Sequence, residues 1–305
     1  MKYSQRAFHM AGIVPVAGQP LAFNFPWHDA LQPVAANYLA VEHAAVECAY
    51  AGCKTIWIIC NDDMQPLIRH RLGDYLMDPR RLESSKFAKF PSLHYREVPI
   101  FYVPIHPDDR DKRDCFTWSM IHGAFIADWV SRTVSRWVTP RKFYVSFPYG
   151  MNNVKDIYKH RRRLVSDRRT IFSFNGKTAE DGEYLPFTFD LNDVKRYKNL
   201  VRQKGTGKYE MDNSGQSDHD YNLKLRPISE RFSARFFNLE DIVSFGNTIE
   251  DEVQELNWYY NISSWEGLCE YLGSEHRKEI RRAPKSLMSY HESSPIGVDI
   301  DEESS

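Results

Sequence analysis

Long apolar runs are missing from this sequence. None of its 305 residues falls in a stretch approaching the roughly 20 apolar residues that span a bilayer, so a transmembrane helix and a membrane partner are not expected. A dominant charge is missing too. Forty Lys and Arg stand against 41 Asp and Glu, a net charge of -1, which excludes a whole-surface nucleic-acid binder and makes any basic patch local. Cysteine is scarce and odd in number: Cys48, Cys53, Cys60, Cys115 and Cys269 include no Cys-x-x-Cys pair of the kind that holds zinc. Three of them fall in a helix and strand read as buried, where a free thiol behaves as a small hydrophobe. A reduced, cytoplasmic compartment is the expectation. Behind Met1 there is no apolar core of a signal peptide, and no internal repeat stands out.

What is present is ordinary in bulk: 42% hydrophobic and 27% charged residues, the balance of a globular chain. Aromatic residues, at 14%, are abundant and predict strands carrying large buried rings or a stacking surface. The chain is long enough for one large α/β domain, or one domain plus a small appendage. Ile13-Val14-Pro15-Val16-Ala17-Gly18-Gln19-Pro20 reads as an apolar strand entering a small-residue turn. Residues 38–51 read as a helix stopped by Gly52, and Thr55-Ile56-Trp57-Ile58-Ile59-Cys60 as a second buried strand. That order is a βαβ unit, so the two strands should be parallel. Asn61-Asp62-Asp63 then lies at the strand's C-terminal end, the edge where open parallel sheets gather ligands. Further on, the pattern predicts a helix over 64–75, strands over 95–103 and 142–147, and a long helix over 118–137 with Trp118, Ile121, Ala124, Phe125 and Ala127 on its apolar positions. Asn175-Gly176-Lys177-Thr178 predicts a hairpin turn between 171–174 and 184–187. Loops are expected at 204–208 and 212–218, a strand at 231–237, a short helix behind Asn238, and a last helix over 265–272. The domain is placed at 8–275, with 150–230 as an insertion or acceptor-side subregion. Residues 276–305 form a C-terminal extension, expected to be disordered from 292, where acidic and serine residues dominate.

Four anchors occur in order. They are the strand and turn from Ile13 to Leu21, Asp29 to Val34, Phe143 to Gly150, and Trp258-Tyr259-Tyr260-Asn261-Ile262-Ser263-Ser264-Trp265-Glu266. Together they resemble the sugar-phosphate nucleotidyltransferases across residues 10 to 275. The family's Gly-x-Gly-Thr-Arg loop, its Pro-Lys-x-Leu-x-Pro-Val stretch, its central strand ending in a metal aspartate and its Trp-x-Asp-x-Gly-Thr-x-Glu segment fall at these places. The resemblance implies an α/β fold with a mostly parallel central sheet flanked by helices, glycosyltransferase-A-like. It implies a nucleotide or nucleotide sugar held by Ala17, Gly18, Gln19, Leu21, His122 and Gly123, a sugar phosphate as second substrate, and magnesium as cofactor.

The chain departs from the family where the chemistry is charged. No arginine lies near Pro20, Asp29 stands for the lysine, Pro148-Tyr149 for the first metal aspartate, and Asn261 for the second. Nucleotidyl transfer needs a divalent cation and positive groups against the charge building on the α-phosphate, and an amide alone holds magnesium weakly. A rebuilt site would draw on Asp29, Asp62 and Asp63 as catalytic carboxylates, with Asn261 and Asp62 toward the metal. The competing reading has Asn61-Asp62-Asp63 capping the next helix. His122 falls where the family's segment contacts the base, but a helix histidine among apolar residues reads more often as a packed, hydrogen-bonded core group. The basic residues Lys159, Arg161, Arg162, Arg163, Arg168 and Arg169, with Tyr158, Phe172 and Phe174 as rings, leave nucleic acid a disfavoured partner. A solvated face is favoured for them. Whether the chain is an enzyme stays open: the alternatives are an inactive binding or scaffold protein on the same fold and a glycosyltransferase using a nucleotide sugar. Base, sugar and oligomeric state are not readable.

Overall fold

The computed structural model describes residues 8–18, 23, 25–78, 97–110, 115–134, 139–204, 209–211, 223–225, 237–245 and 251–281. β1, Met10–Pro15, is wholly buried. A short hairpin, β2 (Pro33–Ala35) and β3 (Tyr38–Leu39), precedes α1, Ala40–Ala51. The sequence places Tyr38 inside the helix, but Asn37 adopts φ 51 and makes a turn that holds Tyr38 in extended chain. α1 ends at Gly52, as its glycine predicts: φ is 101, and the Gly52 N–H closes on Ala49 O at 3.2 Å. β4, Thr55–Ile59, returns parallel to β1, completing the expected βαβ unit.

α2 (Gln65–Leu72), β5 (Tyr75–Met77) and β6 (Glu97–Val103) follow. α3, Phe116–Val134, crosses one face of the sheet with Trp118, Ile121, Ala124 and Ala127 inward. Phe125, expected inward, is 42% exposed. β7 is Lys142–Val145 and β8 is Gly150–Asn152. The short helices α4 (Val154–Lys159) and α5 (Arg161–Leu164) carry the basic residues into β9, Thr170–Ser173. Asn175 and Gly176, at φ 51 and 76, make the tight turn their sequence predicts, bonding Phe174 to Lys177. β10, Phe187–Phe189, then pairs antiparallel with β9. α6, Leu191–Lys204, is followed by the pair β11 (Tyr209–Met211) and β12 (Leu223–Leu225), then α7 (Leu239–Ile242), β13 (Glu252–Glu255), β14 (Tyr259–Asn261) and α8 (Trp265–Gly273). The strand expected over 231–237 lies outside the described residues except Phe237, as does the acidic tail.

The main sheet has eight strands in the order β13-β9-β10-β7-β1-β4-β6-β5. Its centre, β7-β1-β4-β6, is parallel, while β10 and β5 run against their neighbours. β9 and β10 lie within the stretch read as an insertion, yet they are built into this sheet. Two apolar cores cover its faces, one under α1 and one under α3. Residues 276–281 pack against the domain. His276 stacks on Trp258 at 4.9 Å, and Glu279 accepts from Asn153 Nδ2 at 2.9 Å.

Candidate functional site

The central strands β1, β4 and β7 end together on one edge, where an open parallel sheet offers a crevice. Past β1 the chain is drawn inward. The Val16 and Ala17 N–H groups both donate to Ile59 O at 2.8 Å, and Ser119 Oγ donates to Ala17 O. Ala17 therefore positions the loop and has its own amide engaged. Gly18 lies under the Phe116 ring, whose atoms would stand 2.8 Å from any Cβ there. Gln19 and Leu21 lie outside the described residues.

The two positions that the resemblance assigns to metal aspartates do come together. β8 and β14 pair antiparallel with Asn261 opposite Gly150, and the Ile262 N–H donates to Tyr149 O at 2.9 Å. Their side chains are not those of a magnesium site. Tyr149 is buried with Phe116 at 5.0 Å and Tyr184 at 5.7 Å, and burial, then nearby Asp29, pushes its phenol pKa well up. Asn261 is engaged at both ends. Its Nδ2 donates to Glu183 Oε2 at 3.0 Å, and its Oδ1 accepts from Ser263 N at 3.1 Å and Oγ at 2.6 Å. Glu183 also accepts from Tyr259 OH at 3.3 Å and pairs with Lys177 Nζ at 3.5 Å. The sequence gives no sign of Glu183, which lies 78 residues before Asn261 and is brought to it where the loop before β10 packs on β14, the Tyr184 N–H donating to Tyr259 OH at 2.9 Å.

Asp29 is buried in the helical turn Asp29–Leu31, close enough to act on Tyr149. Asp62 and Asp63 are exposed on the turn after β4, and Asp63 Oδ1 accepts the Met64 N–H at 3.0 Å at the entrance to α2. His122 Nε2 lies 3.3 Å from Pro104 O, and because a carbonyl can only accept, Nε2 carries the proton. Burial lowers the pKa of His122, so the ring is neutral near pH 7. Gly123 faces the sheet: a Cβ would meet Ile59 Cδ1 at 2.3 Å. The fold thus gathers Gly18, Asp29 and Asn261 around the Phe116–Tyr149–Tyr184 rings. Asp62 and Asp63 sit on the turn after β4, and His122 projects from α3 against Pro104, just past β6. Among the described residues no three His, Cys, Asp or Glu side chains form a group able to hold a metal ion. The side chains at the family's metal positions do not fit magnesium.

A second polar cluster is invisible in the sequence. Glu47 of α1, buried under the sheet, accepts from Tyr144 OH and Asn152 Nδ2, both at 2.7 Å. Burial raises its pKa to about 7, while burial lowers that of neighbouring His43 to about 4.

The basic residues lie on the opposite edge, and several are structurally engaged. Arg161 is bidentate to Asp78 at 3.0 Å, and Arg169 pairs with Asp193 at 2.8 Å and Asp251 at 3.4 Å. Of the expected stacking rings, Phe172 is fully buried and Phe174 packs on Tyr259 at 6.0 Å.

This topology is the α/β fold of the nucleotidyltransferases, with a large, mostly parallel sheet between helical layers. A Bacillus anthracis protein described as a glucose-1-phosphate thymidylyltransferase, solved in complex with a sucrose, superposes with a TM-score of 0.54 at 11% identity, over 91% of this chain and 98% of its own. A 4-diphosphocytidyl-2C-methyl-D-erythritol synthase from Anaerococcus prevotii aligns at TM-score 0.47 and 10% identity, over 87% of this chain and 95% of its own. No family model matches the chain, and no curated protein matches it. No helix among the described residues is long and apolar enough to cross a membrane.

Proposed function

We propose that this chain is a sugar-phosphate nucleotidyltransferase-like protein that binds a nucleotide or nucleotide sugar at the edge where β1, β4 and β7 end. The convergence of the β1 loop, Asp29 and the Tyr149–Asn261 ladder on that single edge carries the reading. In the reaction implied by the family resemblance, a sugar 1-phosphate oxygen attacks the nucleotide α-phosphate and pyrophosphate leaves. That step calls for positive charge and a metal at the α-phosphate. Here Tyr149 and Asn261, whose amide oxygen is taken by Ser263, supply neither, so binding is the property these residues support. Asn261 and Ser263 would offer hydrogen bonds, and the buried rings a dry wall against water.

The test is a thermal-shift panel of ATP, CTP, GTP, UTP, dTTP and nucleotide sugars, each with magnesium and with chelator, followed by a pyrophosphate-release assay. One base-specific ligand should stabilise the fold equally in both conditions, by about 2.7 kcal/mol at 100 times its dissociation constant. Silence across the panel would sink the proposal. A shift that needs magnesium, with pyrophosphate released, would show that transfer chemistry runs through groups other than Tyr149 and Asn261.

A further inference from the structure

The parallel strands begin on the edge opposite the candidate nucleotide site. There Gly52, Lys54, Tyr158, Lys159, Arg161, Arg162 and Val165 line a cavity of about 710 Å³. That size suits a small organic ligand. Its walls come from the end of α1, the residue before β4, and α4 with α5. Four cations and no carboxylate are among the lining residues.

Two of these cations have structural work. Arg161 forks onto Asp78 through two bonds of 3.0 Å and lies 5.9 Å over the Tyr158 ring, which fixes its position. The left-handed Gly52 permits this approach, since a Cβ there would stand 3.0 Å from Arg161 Nε. Lys159 pairs with Asp156 at 2.6 Å in the last turn of α4, where a cation also complements the helix's negative end. Lys54 and Arg162 are different. Both are exposed, and among the described residues neither side chain has a hydrogen-bond or carboxylate partner, though the Lys54 backbone N–H donates to Met10 O at 2.8 Å. The cavity therefore presents one pinned guanidinium and two unneutralised cations around a concave space.

We infer that this cavity is a second binding site, for a small molecule bearing a di- or triphosphate, separate from the nucleotide edge. Multiply charged phosphate oxygens match several converging N–H donors better than a single carboxylate does. An extended nucleic acid fits less well, because the neighbouring cations do not continue the stripe. Arg163 donates to Gln254 at 2.8 Å, Arg169 is held by Asp193 and Asp251, and the whole chain carries a net charge of only -1. The inference stands apart from the nucleotide reading, because its residues and edge are different.

Calorimetric titration of the full chain with inorganic triphosphate, without magnesium and at about 0.1 M salt, tests it. Saturable binding is expected, and Lys54→Ala and Arg162→Ala should each weaken it by about tenfold, the loss of one charged contact. Arg162→Lys should keep most of the affinity. Melting temperatures should not move, since neither side chain has a partner to lose. No saturable binding, or binding indifferent to both alanine substitutions, overturns the site; the second result would place the anion elsewhere. A single-stranded oligonucleotide that binds more tightly than triphosphate, and weakens with the same substitutions, would overturn the small-ligand assignment in favour of nucleic acid.

Discussion

Asn261 shows how one atom changes a site. Its amide nitrogen donates to Glu183, a bond that an aspartate in its place could not make. Asn261→Asp would set two carboxylates at hydrogen-bond distance and cost about 1 to 3 kcal/mol of stability, the size of a one- to two-unit pKa conflict. Magnesium should relieve that conflict. Thermal shifts should show the variant stabilised by millimolar magnesium and the wild type indifferent to it; equal responses would mean that Asn261 does not decide cation binding. The amide itself was legible in the sequence, because the resemblance aligns Asn261 with the family's second aspartate. Glu183 was not, because only the packing of the loop before β10 on β14 brings it near. The same limit hid Glu47, whose partners Tyr144 and Asn152 lie 97 and 105 residues away.

Strands and helices follow the apolar pattern where one face is buried and depart from it where turns or ion pairs decide. β1, α1, β4 and the core of α3 are legible because their apolar residues recur at strand or helix period. α6 was missed although Leu191, Val194, Tyr197 and Val201 form a helical stripe behind Asp190, whose carboxylate accepts the Asn192 and Asp193 N–H groups. Its charged residues on the other faces dilute that stripe. Two substitutions test how elements are joined. Gly123→Ala drives a methyl into Ile59 at the contact of α3 with the sheet and should destabilise by about 1 to 3 kcal/mol in urea unfolding, despite the better helix former. An unchanged midpoint would mean that α3 can shift outward freely. Arg169 ties the start of β9 to Asp193 in α6, to Asp251 and to the Phe245 carbonyl at 2.8 Å. Arg169→Ala leaves the buried Asp193 with Arg196 at 3.0 Å as its remaining cation, and the loss of three contacts should cost about 1 to 3 kcal/mol. If the loss stays near that of an exposed pair, below about 1 kcal/mol, this basic residue is a solvated surface group after all.

At the scale of the molecule, the sheet's parallel centre could be read from the βαβ order, but the antiparallel β10 and β5 could not, because pairing direction depends on partners distant in sequence. The buried titrating groups also sum over the whole fold. Burial lowers His9 and His43 to about 4, and burial raises Glu47 to about 7. Each histidine stays neutral in the fold while the unfolded chain protonates it below about 6.5, so its contribution to stability falls as pH drops toward 4. His122 and His160 shift in the same direction, also chiefly by burial. Glu47 acts oppositely. It stays protonated in the fold above the unfolded value near 4.5, so its contribution is complete at acid pH and is lost as pH rises through 7. Each shift of His9, His43 and Glu47 is worth about 3 kcal/mol, so two histidines outweigh one glutamate between pH 4.5 and 6.5. Urea midpoints should therefore climb over that range and turn over near neutrality. Glu47→Gln, which keeps the acceptor for Tyr144 and lets Asn152 turn its unpaired Oδ1 toward the new amide, removes the opposing slope. Its midpoints should rise more steeply to pH 6.5 and not fall beyond it. A wild-type profile that is flat, or one that Glu47→Gln leaves unchanged, would mean that these groups reach water in the folded state and that α1 does not seal the underside of the sheet.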